Sequence, residues 1–226
     1  MKEIYQFLRE VAANNNREWF AENKERWRQV DARVNELTQN LLNAMTPFEP
    51  GAKYLQPKDC RWRIYRDTRF SYNKAPYKTH IGIFVALPNG KKSERAGYYL
   101  HLEPGNVWVG GGLWCPEPKL LKAVRQEIYA NVEEYLGIIE NPKFRKSYPE
   151  VGADMLKTAP AGFPKDWEHI DLLKPRMYTI ASYKLGEELT ADQLLKETLK
   201  LFRVMKPYND FLNYTVDEVY GPKDDN

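Results

Sequence analysis

The 226-residue sequence contains few of the features that mark a disulfide scaffold or a membrane protein. Two cysteines are too few for a disulfide-rich fold or a cysteine-rich zinc module. The longest uncharged apolar run, residues 81–87, is far shorter than the roughly 20 residues that cross a bilayer. Charges at Lys2, Glu3, Arg9 and Glu10 interrupt the region where a signal peptide is apolar. We therefore expect a soluble, cytoplasmic protein with no membrane partner.

The sequence also has little net charge, since 34 Lys and Arg residues against 31 Asp and Glu residues give +3. That is too small for a broadly basic nucleic-acid surface. The excess is local, because residues 61–80 hold six basic side chains and one acidic side chain, a charge of +5. Hydrophobic residues make up 42% and aromatic residues 13%, which supplies a core that disordered chains lack.

Apolar spacing in the sequence predicts helices at both ends of the chain and strands in the middle. We expect helices over residues 2–13, 17–45, 118–139 and 191–205, with a short separate helix after Pro207. Strands are predicted at 59–65, 79–87, 98–103, 106–110 and 176–185, and an irregular segment at 141–174. Clustered strands flanked by helices favour an α+β fold with a mainly antiparallel sheet. We expect one domain over residues 1–226, with a short polar C-terminal tail from about 221.

The basic segment, residues 61–80, is the first candidate site. Arginine side chains suit bidentate contact with phosphate or carboxylate, and lysine adds a point charge. Phe70 and Tyr72 add aromatic faces on which a base or a sugar could stack. An internal ion-pair network, with Asp67 orienting an arginine, is the alternative interpretation. The candidate ligand-binding residues are Arg63, Arg66, Arg69, Lys74 and Lys78, with Tyr77 as a packing wall.

Strand alternation defines a second candidate site, because it places His80, Tyr99, His101 and Glu103 on one face of the sheet. His101 and Glu103 are candidates for proton transfer, with His80 beside them. Their side chains could also bind a metal, or simply be hydrogen-bonded parts of a half-buried sheet. The spacing is uninformative and nearby arginines repel a cation, so we expect neither a metal nor a cofactor. Small residues at Gly82 and Gly110 are expected to leave room for a ligand.

The longest distinctive stretch of the sequence is Arg-Ile-Tyr-Arg-Asp-Thr-Arg-Phe at 63–70, followed by Lys74 and by Pro-Tyr-Lys at 76–78. Further distinctive stretches lie at residues 15–20, 98–105, 110–114, 162–165 and 170–174. Together these stretches resemble the domain-of-unknown-function family 2461, a group of conserved hypothetical proteins. The resemblance covers about the whole chain and implies a single α+β domain in a soluble, mostly microbial protein. It implies no activity and no catalytic residues.

Three functions remain compatible with these residues. The leading hypothesis is a cleft that binds a small ligand bearing phosphate or carboxylate. A binding module for single-stranded nucleic acid or another macromolecule would use the same arginines and aromatic rings. A metal-dependent or acid–base enzyme would instead use His80, His101 and Glu103. The sequence does not decide whether the protein is an enzyme, nor its oligomeric state.

Overall fold

The alternating segments form a five-stranded antiparallel sheet in the computed structural model, which describes residues 1–221. β1 (Ile81–Val85), β2 (Gly97–Leu102) and β3 (Val107–Leu113) follow one another as a meander. β5 (Met177–Leu185) pairs with β3 on one side and with β4 (Val151–Ala153) on the other. The sheet and its helices confirm a single α+β domain. The tail expected from about 221 lies, after Gly221, outside the described residues.

Among the described residues, four α-helices precede the sheet in the chain, three lie between β3 and β4, and one follows β5. Those before the sheet are α1 (Lys2–Ala13), α2 (Arg17–Glu22), α3 (Lys24–Met45) and α4 (Pro57–Cys60). Those after β3 are α5 (Pro118–Ala130), α6 (Val132–Ile139), α7 (Pro142–Ser147) and α8 (Ala191–Tyr220). Within residues 1–221, none of the helices has the length and apolarity needed to cross a membrane.

One face of the sheet is buried, because every second residue of its strands is apolar. Ile83, Leu100 and Val109 lie on this face and are almost fully inaccessible. α8 packs against β2, β3 and β5, and adds Phe202 and Met205 to the core. The intervening residues of β1, β2 and β3 point to the opposite face, which carries the second candidate site.

Two carboxamides of α8 hold the start of β2. The Asn213 Oδ1 accepts the Ala96 N–H at 2.7 Å, and its Nδ2 donates to the Ala96 carbonyl at 3.1 Å. The Asn209 Nδ2 donates to the Gly97 carbonyl at 3.0 Å. These bonds pair backbone groups at the strand end that water does not reach. They fix the position of the strand that presents Tyr99 and His101.

Two predicted helices are each divided in the structure. The helix expected over 17–45 ends at Glu22, and α3 starts at Lys24. Asn23 separates the two, and its Nδ2 donates to the Trp19 carbonyl at 2.9 Å, a side-chain bond that closes the first helix. The helix expected over 118–139 is likewise divided, at Asn131.

Pro207 does not end a helix, so the separate short helix predicted after it is wrong. α8 continues through Pro207 to Tyr220. Proline lacks an N–H, so the helix lacks one backbone hydrogen bond at this position. The neighbouring Met205 and Tyr208 are fully buried, and their burial offsets that loss.

The predicted strand at 59–65 is also wrong. Residues 57–60 form α4, whose capping box includes a bond from the Gln56 N–H to the Asp59 carboxylate at 2.9 Å. After it, Arg61 makes an isolated bridge to Ile83 of β1. Trp62, at the centre of the predicted strand, is 46% exposed, and its ring packs on Phe84. The alternation of apolar residues here does not arise from a strand.

Candidate functional site

Tyr77 anchors the basic segment to the N-terminal helices. The Asn15 side chain accepts the Tyr77 N–H and donates to the Tyr77 carbonyl, each at 3.0 Å. The Tyr77 ring stacks on Phe20 of α2 with centroids 3.9 Å apart, and only 6% of the residue is exposed. The structure therefore places Tyr77 inside the protein, as the anchor of the loop rather than a wall of the cleft described below.

Two of the candidate cations bind carbonyl groups of their own loop. The Arg66 N–H donates to the Pro76 carbonyl at 2.9 Å, and its guanidinium donates to the Ala75 carbonyl at 3.1 Å. The Lys74 ammonium donates to the Thr68 carbonyl at 2.9 Å. These side chains close the loop on itself, so part of the local positive charge serves the loop conformation.

Arg69 and Asp67 form an ion pair at the exposed tip of the loop. The Arg69 Nη2 lies 2.6 Å from the Asp67 Oδ2. The hydrogen bonds from Arg69 lower the pKa of the Asp67 carboxyl to about 2. Next to this pair, Phe70 is 94% exposed and Tyr72 is fully exposed. The charge of Arg69 is thus already partnered, while the two aromatic rings face solvent.

Arg63, Lys78 and His80 line a cleft beside β1, here called the basic cleft. The Lys78 ammonium donates to the Arg63 carbonyl at 2.9 Å. Within residues 1–221, neither Arg63 nor Lys78 is paired with a carboxylate. Burial, together with the charge of Arg63, lowers the pKa of Lys78. The remaining lining residues are Trp27, Arg61, Trp62, Ile64, Ile81, Gly82 and Tyr99.

Arg61 lines the same cleft, but its charge is neutralised from α3. Its Nη2 lies 2.5 Å from the Asp31 Oδ1, and its Nη1 donates to the Asn35 side chain. The arginine side chain is only 8% exposed. This pair attaches α3 to the cleft wall and leaves Arg63 and Lys78 as the cations without a carboxylate partner there.

His80, His101 and Glu103, the histidine cluster, lie together next to the basic cleft. Their potential ligand atoms are all within 4.8 Å of one another. The ring of His80 stacks on that of His101 with centroids 4.7 Å apart. The His101 Nε2 lies 3.2 Å from the Glu103 Oε2. The structure therefore brings together the three residues that sequence analysis selected for proton transfer.

Hydrogen bonds hold the members of the cluster in place. The Tyr99 hydroxyl lies 2.9 Å from the His101 Nδ1. The Thr79 hydroxyl donates to one Glu103 oxygen at 3.2 Å, and the Asn106 side chain donates to the other at 2.8 Å. Each ring nitrogen of His101 and each oxygen of Glu103 therefore has a partner.

Electrostatics keep the imidazoles uncharged and the carboxyl ionised. Burial lowers the pKa of both histidines, and for His80 the neighbouring His101 adds to the effect. Although burial opposes it, hydrogen bonds from Asn106 and His101 lower the pKa of Glu103. Neutral imidazoles beside a carboxylate can accept a proton or bind a cation.

A family model described as conserved hypothetical protein (DUF2461) matches residues 3–211, most of the chain. The chain belongs to the DUF2461 family. The match confirms the resemblance carried by the 63–70 stretch. Comparison with curated proteins and with solved structures found no match. The DUF2461 description names no reaction and no ligand, so a proposal for either has to be argued from the geometry of the site.

Aromatic rings cover the space that this DUF2461 protein was expected to leave open above its sheet. A Cβ atom on Gly82 would lie 2.7 Å from the Tyr99 hydroxyl. A Cβ atom on Gly110 would lie 2.9 Å from the Trp108 ring, which also stacks on His101. The glycines accommodate these rings, and the open space lies at the edge of β1 instead.

Some site residues of the DUF2461 protein were missed by sequence reasoning. Asn106 follows Glu103 by three residues across the hairpin turn, so turn geometry predicts its proximity. Alternation along the strand places Thr79 on the same face as the apolar Ile81 and Ile83, so the pattern gives no reason to select it. From α3, Trp27 lines the cleft and Asp31 pairs with the lining residue Arg61, and no local pattern indicates either contact.

Proposed function

We propose that this DUF2461 protein binds a small ligand through a terminal phosphate or carboxylate group in the basic cleft. The proposal is carried by Arg63 and Lys78, two neighbouring cations that line one cleft without a carboxylate partner in the described chain. Like charges held close together repel, and an anion between them removes that repulsion. His80 adds a hydrogen-bonding imidazole to the same lining.

The dimensions of the cleft favour insertion of one small group. The cleft has a volume of about 30 Å³, enough for one or two waters. A ligand would insert its anionic end here and leave the rest outside, against the exposed ring of Trp62. The guanidinium of Arg63 suits bidentate contact with phosphate or carboxylate, and Lys78 supplies a point charge.

Binding of single-stranded nucleic acid is the competing function, and the exposed rings of Phe70 and Tyr72 favour it. The adjoining cations support it less well. Arg69 is paired with Asp67, and Lys74 binds a backbone carbonyl. The cations without a carboxylate partner lie in the basic cleft, so the small ligand is the better supported candidate.

Calorimetric titration at constant ionic strength tests the proposal, with inorganic phosphate and acetate as probes and chloride as the reference anion. We expect Arg63→Gln and Lys78→Gln to weaken binding at least 10-fold, the loss of one charge-assisted hydrogen bond. Lys74→Gln is the matched control, since it removes a cation from the same segment outside the cleft. Wild-type binding no tighter than that of chloride contradicts the proposal, and so does an equal loss in Lys74→Gln.

Titration with an oligonucleotide at two salt concentrations tests the competing function. Contacts with several phosphates give a binding constant that falls steeply with salt. If the competing function is correct, Phe70→Ala and Tyr72→Ala weaken oligonucleotide binding while Lys78→Gln has little effect. Under the proposed function, the protein shows no steep salt-dependent affinity for the oligonucleotide.

We also propose a cytoplasmic location. Cys60 and Cys115 are both free thiols, one buried and one exposed. Free thiols persist in reducing compartments and are rare in oxidising ones. Fractionation of cells that produce the protein, followed by immunoblotting, tests this location.

A further inference from the structure

The histidine cluster has the composition of a metal site in addition to that of a proton-transfer site. His80 and His101 offer imidazole nitrogens, and Glu103 offers a carboxylate oxygen. Two imidazoles and one carboxylate suit divalent transition metals such as Zn²⁺, Fe²⁺ or Co²⁺. His80 directly precedes β1, His101 lies near the end of β2, and Glu103 directly follows β2. Because β1 and β2 are paired, the sheet fixes the relative positions of the three residues.

The distances within the cluster match the spacing of ligands around one ion. Two ligand atoms bound at about 2.1 Å with a tetrahedral angle lie about 3.4 Å apart. The His101 Nε2 and the Glu103 Oε2 are 3.2 Å apart in a hydrogen bond, which an ion bound between them would replace at nearly the same separation. The third ligand atom, on His80, lies within 4.8 Å of both, so a small side-chain movement completes the set.

The cluster also has the outer hydrogen bonds that metal ligands need. A histidine ligand usually bonds through its second nitrogen to a neighbour, and a carboxylate ligand is itself hydrogen-bonded. Here the Tyr99 hydroxyl lies at the His101 Nδ1, which leaves the Nε2 directed toward Glu103. Thr79 and Asn106 orient the Glu103 carboxylate.

Two of the four arginines in the basic segment are neutralised in the structure, while Arg63 and Arg66 have no carboxylate partner in the described chain. Arg61 is paired with Asp31, and Arg69 with Asp67. Arg66 and Lys78 still act on His80, and each lowers the pKa of that imidazole. Their charges weaken cation binding, while the negative charge of Glu103 strengthens it.

We infer that the histidine cluster binds one divalent transition-metal ion through His80, His101 and Glu103. Three protein ligands leave at least one coordination position open, as in catalytic rather than structural metal sites. His80 also lines the basic cleft, so an ion bound by the cluster would lie next to the proposed anion site. The inference does not depend on that site, because His101 and Glu103 do not line the cleft.

Titration of the untagged, chelator-treated protein with Co²⁺ tests the inference by calorimetry and visible absorption. We expect one equivalent per chain and an absorption band of cobalt bound to protein ligands. His101→Gln and Glu103→Gln should each weaken Co²⁺ binding more than 10-fold, and Tyr99→Phe by 10- to 100-fold. His169→Gln is the matched control, since it removes the remaining histidine of the chain and leaves the cluster intact.

Two results would overturn the metal site. One is a folded wild-type protein that binds no stoichiometric Co²⁺, which would leave the cluster as a proton-transfer or structural arrangement. The other is unchanged Co²⁺ affinity in both His101→Gln and Glu103→Gln. Circular dichroism verifies that each variant is folded. If a ligand substitution unfolds the chain, Thr79→Val replaces it, since it removes only a hydrogen bond to Glu103 and should still weaken Co²⁺ binding. Arg63→Gln should lose phosphate binding and keep Co²⁺ binding, which separates this inference from the proposed function.

Discussion

Replacing Asn213 with alanine tests how strongly α8 holds the strand that carries the site. The Asn213 side chain satisfies both backbone groups of Ala96 just before β2, at 2.7 and 3.1 Å. Ala96 is 2% exposed, so water does not replace the lost carboxamide there. The substitution leaves one N–H and one carbonyl without partners.

The expected loss in the free energy of unfolding follows from these two groups. Each unsatisfied buried polar group costs about 1–3 kcal/mol. Asn213 itself is 9% exposed, so the two groups lie at the edge of the core and not at its centre, and we take the lower part of the range. The free energy of unfolding should therefore fall by about 2–4 kcal/mol, a large fraction of the 5–15 kcal/mol typical of a domain.

Urea unfolding followed by circular dichroism measures the effect. The slope of the unfolding free energy against urea concentration should be the same in all variants. Tyr214→Ala is the matched control, because Tyr214 is the next residue of α8 and is 57% exposed. Its free energy of unfolding should change by no more than about 0.5 kcal/mol. A loss below about 1 kcal/mol in Asn213→Ala refutes the reasoning, as does an equal loss in the control.

Two further predictions concern the thiols and the histidines. Cys60 is fully buried and burial raises its pKa to about 12, so a thiol reagent should modify only Cys115 in the native chain. Modification of both thiols before denaturation would contradict this. In metal-free protein, lowered pKa values of His80 and His101 mean that the unfolded chain binds more protons below about pH 6.5. Stability should therefore fall as the pH drops below about 6.5, and the His80→Gln/His101→Gln variant should show a weaker fall when melts are compared across pH.

Periodicity predicted the sheet well where the apolar faces are truly buried. The alternation of Ile81, Ile83 and Val85 reflects a strand with one face against the helices. Residues 59–65 show the same alternation, but the Pro57 start and the capping bonds around it favour a helical turn. The helix-capping hydrogen bonds outweigh the apolar alternation there, because only Cys60, Trp62 and Ile64 support a strand.

The two parts of the candidate site differed in how far the sequence could predict them. His101 and Glu103 lie two residues apart on a strand, so their common face follows from alternation alone. The partners of the cations do not follow from any local rule. Asp31 reaches Arg61 from a helix 30 residues away, and the carbonyls that bind Lys74 and Arg66 depend on the path of the loop.

The Asn15 clamp on Tyr77 connects the first two helices to the chain segment that forms the wall of the basic cleft. Tyr77 directly precedes Lys78. A ligand bound to the Lys78 ammonium would therefore act on the same backbone segment that Asn15 holds. Under the proposed function, a ligand bound at Lys78 is therefore coupled through this backbone to the junction between α1 and α2, more than 60 residues earlier in the chain. Hydrogen exchange at that junction should report on cleft occupancy, and the N-terminal helices are the place where another molecule would tune affinity without entering the cleft.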